Sequence, residues 1–386
     1  MRIHTFSWVL ALTLTSSLAV IAVPAGATFY VDPAGDDTDD CLSPATACLT
    51  IQAAIDKAPD GETIEIAPGT YAEQVIIGDR ESLRLHGAPG VAITDPGLPL
   101  GGAVFHIQAS RLIRLEELAI SGNPAGVEAV RIFNSQTIDV ERSTIEGANL
   151  GFFVNTSDLT ISDSLIQDNG LGVRVDRGSA VNLNSTPFSP GVTTVRRNET
   201  GAFVRDGSLR LHGATVIEDN NVGVAGEGGV IKGCCEGGER QIVGNGIGFL
   251  TRGDHLTLQG ETRIEANGIG IFMFGGQAIL RPGLRLLQNE TAIIDVAGHL
   301  QTVGVEIADS VIDGIVMADN ASGRLQGTTV TGSGDDGIEL DTLSTIRIFD
   351  TVLVEGNGGA DLVCANGSMV RGELDGVRKV SCRRAE

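Results

Sequence analysis

The sequence predicts an all-β fold: a right-handed parallel β-helix, a single-stranded solenoid of about 12–13 rungs with an N-terminal capping helix. Three observations carry this. A short mark (Asn, two residues, a small residue, then an apolar run) recurs at a nearly constant interval along most of the chain. Between the marks lie short segments such as "LTISDSLI" and "IRIFDTVLV", whose apolar residues alternate as in half-buried strands. No helix-length apolar period occurs in the repeat region.

The first residues read as a removable leader. Arg2 supplies a basic start, Trp8 to Val23 an apolar run without acids, and Ala25–Ala27 a small-residue cleavage site. Residues 1–27 are therefore expected to be a signal peptide, the mature chain to start near Thr28, and the protein to be secreted or periplasmic. An uncleaved anchor is the alternative, and the run is short for a span. No later stretch is long and apolar enough to cross a bilayer. The leader carries one Arg and no acid, so its loss takes the net charge from −22 to −23. Such a surface repels nucleic acid and anionic membranes, and polyuronates too unless a cation bridges them.

Residues 28–386 read as one β-helix domain: an N-terminal cap (28–60), rungs over about 61–375, and a C-terminal cap over about 364–386. In the first cap, "DPAGDDTDDC" gathers Asp32, Asp36, Asp37, Asp39 and Asp40. Hard oxygen donors at this density fit Ca²⁺, with Asp36, Asp37, Asp39 and Asp40 as ligands; a solvated acidic turn fits as well. The segment Thr50–Ala58 is the best helix, with Ile51, Ala54, Ile55 and Ala58 on one face. It is expected to cover the open end of the solenoid. In an oxidising compartment the close cysteines pair as Cys41–Cys48 and Cys364–Cys382, one staple at each end. Adjacent Cys234 and Cys235 fit a vicinal disulfide, other partners or free thiols.

The small residues of the marks are Gly126, Gly151, Gly172, Gly201, Gly223, Gly248, Gly270, Ala292, Gly314, Gly337 and Ala360. Eight marks begin with Asn: 123, 169, 198, 220, 245, 267, 289 and 357. Asn and Gly suit the left-handed backbone of a sharp turn, and stacked Asn would form a ladder of side-chain hydrogen bonds. The residue after each mark is expected inside, and Asp361 breaks that pattern. The next residue is expected outside. There Leu250, Phe272, Ile294 and Val316 form an apolar stripe, with Phe153, Arg174 and Phe203 further back and Glu339 at the far end. Such a stripe is a binding surface or a strand face covered by a loop or subunit. The mature chain has no Trp and only Tyr30 and Tyr71, which argues against broad sugar-stacking subsites. His86, His106, His212, His255 and His299 have no metal-pair spacing.

The start "YVD…G", the helix "TIQAAI" and "PGTYAEQV" resemble the N-terminal part of right-handed parallel β-helix proteins of the pectin-lyase-like superfamily. The resemblance covers nearly all of the mature chain. It implies the fold and a polysaccharide-related role, with a polysaccharide as partner, and does not select an enzyme class. "GTYAE" looks like the first motif of pectin methylesterases, whose later motifs are not found. The Asp-Pro-His-Asp signature of alginate epimerases is absent. "VIDGI" and "GDDGI" are locally similar to the polygalacturonase branch. That likeness implies Asp335 or Asp336 as general acid, with Asp313 and the other Asp activating water. The family's histidine is missing near Asn357, and its cation motif has only Arg378 and Lys379 nearby at another spacing. A cation site or a plain Asp-Gly turn are the other readings of these acids. An adhesin or structural solenoid without catalysis is the alternative function.

Overall fold

The computed structural model describes residues 26–183, 191–234 and 238–382. The expected leader, apart from Gly26 and Ala27, lies outside them. The chain is an all-parallel β-solenoid of about 13 turns. Among the described residues three sheets of 15, 14 and 13 strands run its length. Each rung visits them in turn, as in Val75–Gly78 (14-stranded), Glu81–Gly87 (15-stranded) and Val91–Thr94 (13-stranded). Each strand pairs in parallel with the strands one rung before and after it. At roughly 4.8 Å per rung the rod is about 60 Å long.

One α-helix, α1 (Ile51–Lys57), occurs among the described residues. The Thr50 hydroxyl caps it by accepting from the Ala53 N–H. Ile51, Ala54, Ile55 and Ala58 are all buried, as the helical period predicts. The two expected disulfides are present: Cα separations are 5.0 Å for Cys41–Cys48 and 4.8 Å for Cys364–Cys382. Cys234 is disulfide-bonded, and Cys235 lies outside the described residues.

The interior is a stack of aliphatic side chains from all three sheets. Alternation holds: Phe152, Val173, Ala202, Val224, Phe249, Ile271, Ile293, Ile315 and Ile338 are fully buried. Two marks shift. Val130 pairs with Phe152, so Ala129, not Gly126, holds the mark position of its rung. Ile338 pairs with Leu362, so Asp361, not Ala360, holds it near the end. Asp361 is therefore not an inward break. Its buried carboxylate accepts from Asn357 Nδ2 and the Lys379 N–H.

The Asn ladder is continuous over six rungs, not eight. Asn169, Asn198, Asn220, Asn245 and Asn267 each donate Nδ2 to the Oδ1 of the next, ending at Asn289. Ser310 and Ser333 take the next two places, and Asn357 resumes by accepting from the Ser333 N–H. Asn123 stands outside the ladder and closes its own turn through the Ala125 N–H. The backbone reason also differs from expectation. The left-handed residue is the one before each Asn: Asp168, Arg197, Asp219, Gly244, Ala266 and Gln288 have φ of 50–67°. Asn is selected for its amide, which satisfies the buried backbone of the turn. The mark glycines answer a steric need. A Cβ on Gly172 or Gly248 would stand 2.5 Å from a carbonyl oxygen of the next rung.

A second ladder is built of serines. Ser135, Ser157 and Ser179 accept at Oγ from the N–H groups of Ser110, Ser135 and Ser157.

Candidate functional site

The 14-stranded sheet carries both candidate regions on its outer face. Its outward column runs Phe153, Arg174, Phe203, Ala225, Leu250, Phe272, Ile294, Val316 and Glu339 in strict cross-strand register. Ala225 closes the gap that separates the two halves of the stripe in sequence. Arg174 lies over the Phe153 ring at 5.2 Å and also pairs with Asp176 at 2.9 Å. All of these side chains are partly exposed. Two residues beyond Phe272, Phe274 points the same way and is 57% exposed, the most open aromatic side chain of the core strands.

The stripe ends in carboxylates. Asp313 and Asp336 occupy the same position on adjacent rungs, just before the mark glycines. Asp313 Oδ1 accepts the Asp336 N–H at 3.0 Å, and Asp336 Oδ1 accepts the Ala360 N–H at 2.6 Å. Each aspartate thus caps the backbone of the rung that follows. Asp335 is exposed beside them. Gly359 lies over the pair: a Cβ there would stand 2.5 Å from Asp336 Oδ1 and 2.6 Å from Asp335 Oδ1. Burial raises the Asp313 carboxyl above the usual carboxylate range, the Asp336 N–H opposes this, and the charges of Asp335 and Asp336 add to it. Glu339 is a fourth member. Burial, then the charges of Asp313 and Asp336, raise it too. The repeat interval puts Glu339 at the end of the stripe, but its proximity to Asp313 depends on how the outward residue of one strand meets the turn of the previous rung.

The acidic loop of the N-terminal region is organised differently. Asp32 accepts from the Ala34 N–H, Asp36 from Thr38, Asp37 from the backbone and hydroxyl of Thr50, and Asp40 from Leu42 and Thr46. Asp32, Asp36 and Asp40 serve nearby residues and Asp37 serves Thr50, thirteen residues on, and no group of three metal-ligating side chains occurs among the described residues. The cation held by the loop is Lys57, whose Nζ donates to the carbonyls of Asp37 and Asp39 at 2.6 Å each.

Asp295 brings a buried acid into the apolar stack of the interior. Asp295 sits where other rungs place Val154, Val175 or Val204, between Met273 and Met317. Among the described residues neither of its oxygens has a well-formed hydrogen bond, and burial pushes its carboxyl up to about 7, partly offset by the Gly298 N–H. The sequence signal was present, an acid at an inward position of an otherwise apolar column.

No family model and no curated protein sequence matches the chain. Solved structures do. A mannuronan C-5 epimerase A-module from Azotobacter vinelandii is 17% identical, with TM-score 0.41, over 83% of this chain and 94% of that one. A GH87 α-1,3-glucanase catalytic unit from Streptomyces thermodiastaticus is 13% identical, with TM-score 0.44, over 80% and 65%. The pectate lyase Pel9A is 12% identical, with TM-score 0.37, over 87% and 79%. The likeness is one of fold.

Proposed function

We propose that the chain is an exported protein that binds a polysaccharide along the outer face of its 14-stranded sheet. The observation that carries this is the unbroken outward column from Phe203 to Val316. It spans six rungs, about 24 Å at the inter-rung spacing, and keeps apolar side chains partly in water. A linear track of this length suits an extended chain better than a compact ligand. Phe203, Phe272 and Phe274 offer aromatic rings to the apolar faces of sugars along a track that itself carries neither Trp nor Tyr. The two disulfides fit an oxidising compartment. Retention of the mature protein on a panel of insoluble polysaccharides tests the reading. Phe272→Asp should abolish retention on whichever polymer holds the wild type; unchanged retention sinks it.

Hydrolysis is the second reading, favoured by the four carboxyl groups at the end of the track. Two of them, Asp313 and Glu339, titrate above the ordinary range, which suits a general acid. It requires the wild type to release reducing ends from a polymer and Asp336→Asn to lose that activity. The capping bonds of Asp313 and Asp336 give these residues a structural task without catalysis, so binding alone is preferred.

A further inference from the structure

Lys57 ends α1 with its ammonium against a disulfide. Nζ lies 3.5 Å from Cys41 Sγ and 3.3 Å from Cys48 Sγ. The carbonyls of Asp37 and Asp39, at 2.6 Å each, hold it there. A neutral sulfur is a weak acceptor and gains little from an ammonium. A thiolate gains far more, and a neighbouring lysine lowers a cysteine's pKa from its ordinary value of about 8.5. The contact therefore favours the reduced pair over the oxidised one. Both cysteines are fully buried and Lys57 is exposed, so its side chain is part of what separates the sulfurs from solvent.

The bridge is not what attaches the cap. Glu73 accepts the N–H groups of Ile51 and Gln52, Asp37 accepts the N–H and hydroxyl of Thr50, and Arg80 donates to the carbonyls of Ile55 and Ala58. These bonds hold α1 in place without sulfur. The two cysteines are only 7 residues apart, and a short closed loop constrains the unfolded chain least. What the bridge does hold is the segment over Thr28–Val31, the end strand of the 15-stranded sheet. The Tyr30 N–H donates to the Cys41 carbonyl, the Cys48 N–H to the Tyr30 carbonyl, and the Asp32 N–H to the Cys48 carbonyl. This segment covers a sheet edge.

We propose that Cys41–Cys48 is a thiol-exchange site, opened by a dithiol reductant while α1 and the solenoid stay folded, and that its state controls the cover of this sheet edge. A thiolate of the reductant attacks Cys41 Sγ. The S–S bond breaks, and its electron pair leaves on Cys48 Sγ, the sulfur nearer Lys57. The second thiol of the reductant loses its proton, attacks the mixed disulfide at the reductant's own sulfur and expels Cys41 as a thiolate. The protein gains two electrons, the reductant becomes a disulfide, and the dithiol's two protons pass to the cysteine sulfurs or to solvent. The carboxylates of Asp36, Asp37, Asp39 and Asp40 in the loop, of Asp32 beside it and of Asp56 on α1 oppose a thiolate. Lys57 meets the sulfurs directly, whereas Asp36, Asp37 and Asp40 are engaged with Thr38, Thr50 and Thr46. The nearest charge decides. The proposal does not depend on the polysaccharide reading.

The test equilibrates the mature protein in mixtures of reduced and oxidised dithiothreitol, quenches in acid, alkylates, and maps peptides by mass spectrometry, which follows Cys41 and Cys48 apart from the other cysteines. The pair should be reduced without urea, and should then alkylate with a pH midpoint at least about one unit below the ordinary thiol value. Lys57→Met should raise that midpoint, leaving about tenfold less thiolate at neutral pH. It should also lower the equilibrium constant for reduction about tenfold, roughly 30 mV. Lys57→Arg keeps the charge and should stay near the wild type. On reduction, hydrogen exchange should quicken at the Tyr30 and Asp32 amides, while α1 and the rungs stay protected. A bridge that is reduced only in urea, or a wild-type midpoint at or above about 8.5, overturns the proposal whether or not the variants fold. Equal midpoints in wild type and Lys57→Met, or unchanged exchange at Tyr30 and Asp32 after reduction, overturn it too.

Discussion

Asp313 Oδ1 holds the backbone N–H of Asp336 at 3.0 Å, one rung further along the solenoid. The bond makes a candidate catalytic carboxylate also a structural cap. Asparagine retains the accepting oxygen and alanine does not. Asp313→Ala should therefore destabilise by about 1 kcal/mol, the usual net worth of such a bond, while Asp313→Asn stays near the wild type. Urea denaturation of the two variants measures the difference. Equal loss in both would mean that the charge, not the cap, is what the fold uses.

Asp295 gives a pH dependence with a definite sign. Its folded carboxyl titrates at about 7, against an ordinary 3.8. A group raised on folding favours the native state in its protonated form. The contribution is complete below about pH 4 and is lost as pH rises through 7. A shift of this size corresponds to roughly 4 kcal/mol. Asp295→Val places at this position the residue that neighbouring rungs use. Its stability advantage over wild type should widen by about that amount between pH 4 and pH 8, measured from urea midpoints. A constant difference across this range would show that Asp295 ionises normally.

The repeat made the architecture legible because each rung solves the same packing problem. Gly172 must be small since the carbonyl of the next rung lies against it, and that need returns once per turn. Register was less legible. Turn lengths vary, so the interval points to Gly126 where the register uses Ala129, and to Asp361 as an inward break where the register puts it at the mark. The outward stripe could be read from the interval alone. So could the outward positions of Arg324, Arg347 and Arg371, which pair in register and lie 23 and 24 residues apart, the local rung length. Hydrogen-bond roles could not be read this way. Asp313 as a backbone cap and Lys57 as the cation of the acidic loop depend on side-chain direction, which spacing does not specify.

Asn245 is the best single probe of the ladder. It donates Nδ2 to Asn267 Oδ1 and the Ile217 and Val243 carbonyls, and accepts from the backbone and side chain of Asn220. Asn245→Ala leaves buried groups on two rungs unpaired and should destabilise by roughly 3 kcal/mol or more. Asn245→Asp should be at least as damaging, since a carboxylate cannot donate and would be buried beside the carbonyls of Ile217 and Val243. Asn245→Ser should fall between, because Ser310 and Ser333 already hold this place. Chemical denaturation gives the order. A harmless Asn245→Asp would mean that the donated bonds contribute nothing.

Lys57 brings its ammonium to 2.6 Å from two carbonyls of the acidic loop and within 3.5 Å of both sulfurs of the Cys41–Cys48 bridge. With that position taken by Lys57, and Asp32, Asp36, Asp37 and Asp40 each accepting hydrogen bonds within this region, the loop is expected to need no divalent ion. Neither EDTA nor millimolar Ca²⁺ should move the melting temperature of the wild type. Lys57→Met keeps most of the aliphatic stem and removes two charge-assisted bonds, so it should destabilise by about 1–3 kcal/mol. Differential scanning fluorimetry with and without Ca²⁺ decides it. A rise of several degrees on adding Ca²⁺ to the wild type would show that the aspartates rearrange around the ion and that Lys57 is not the cation the loop requires.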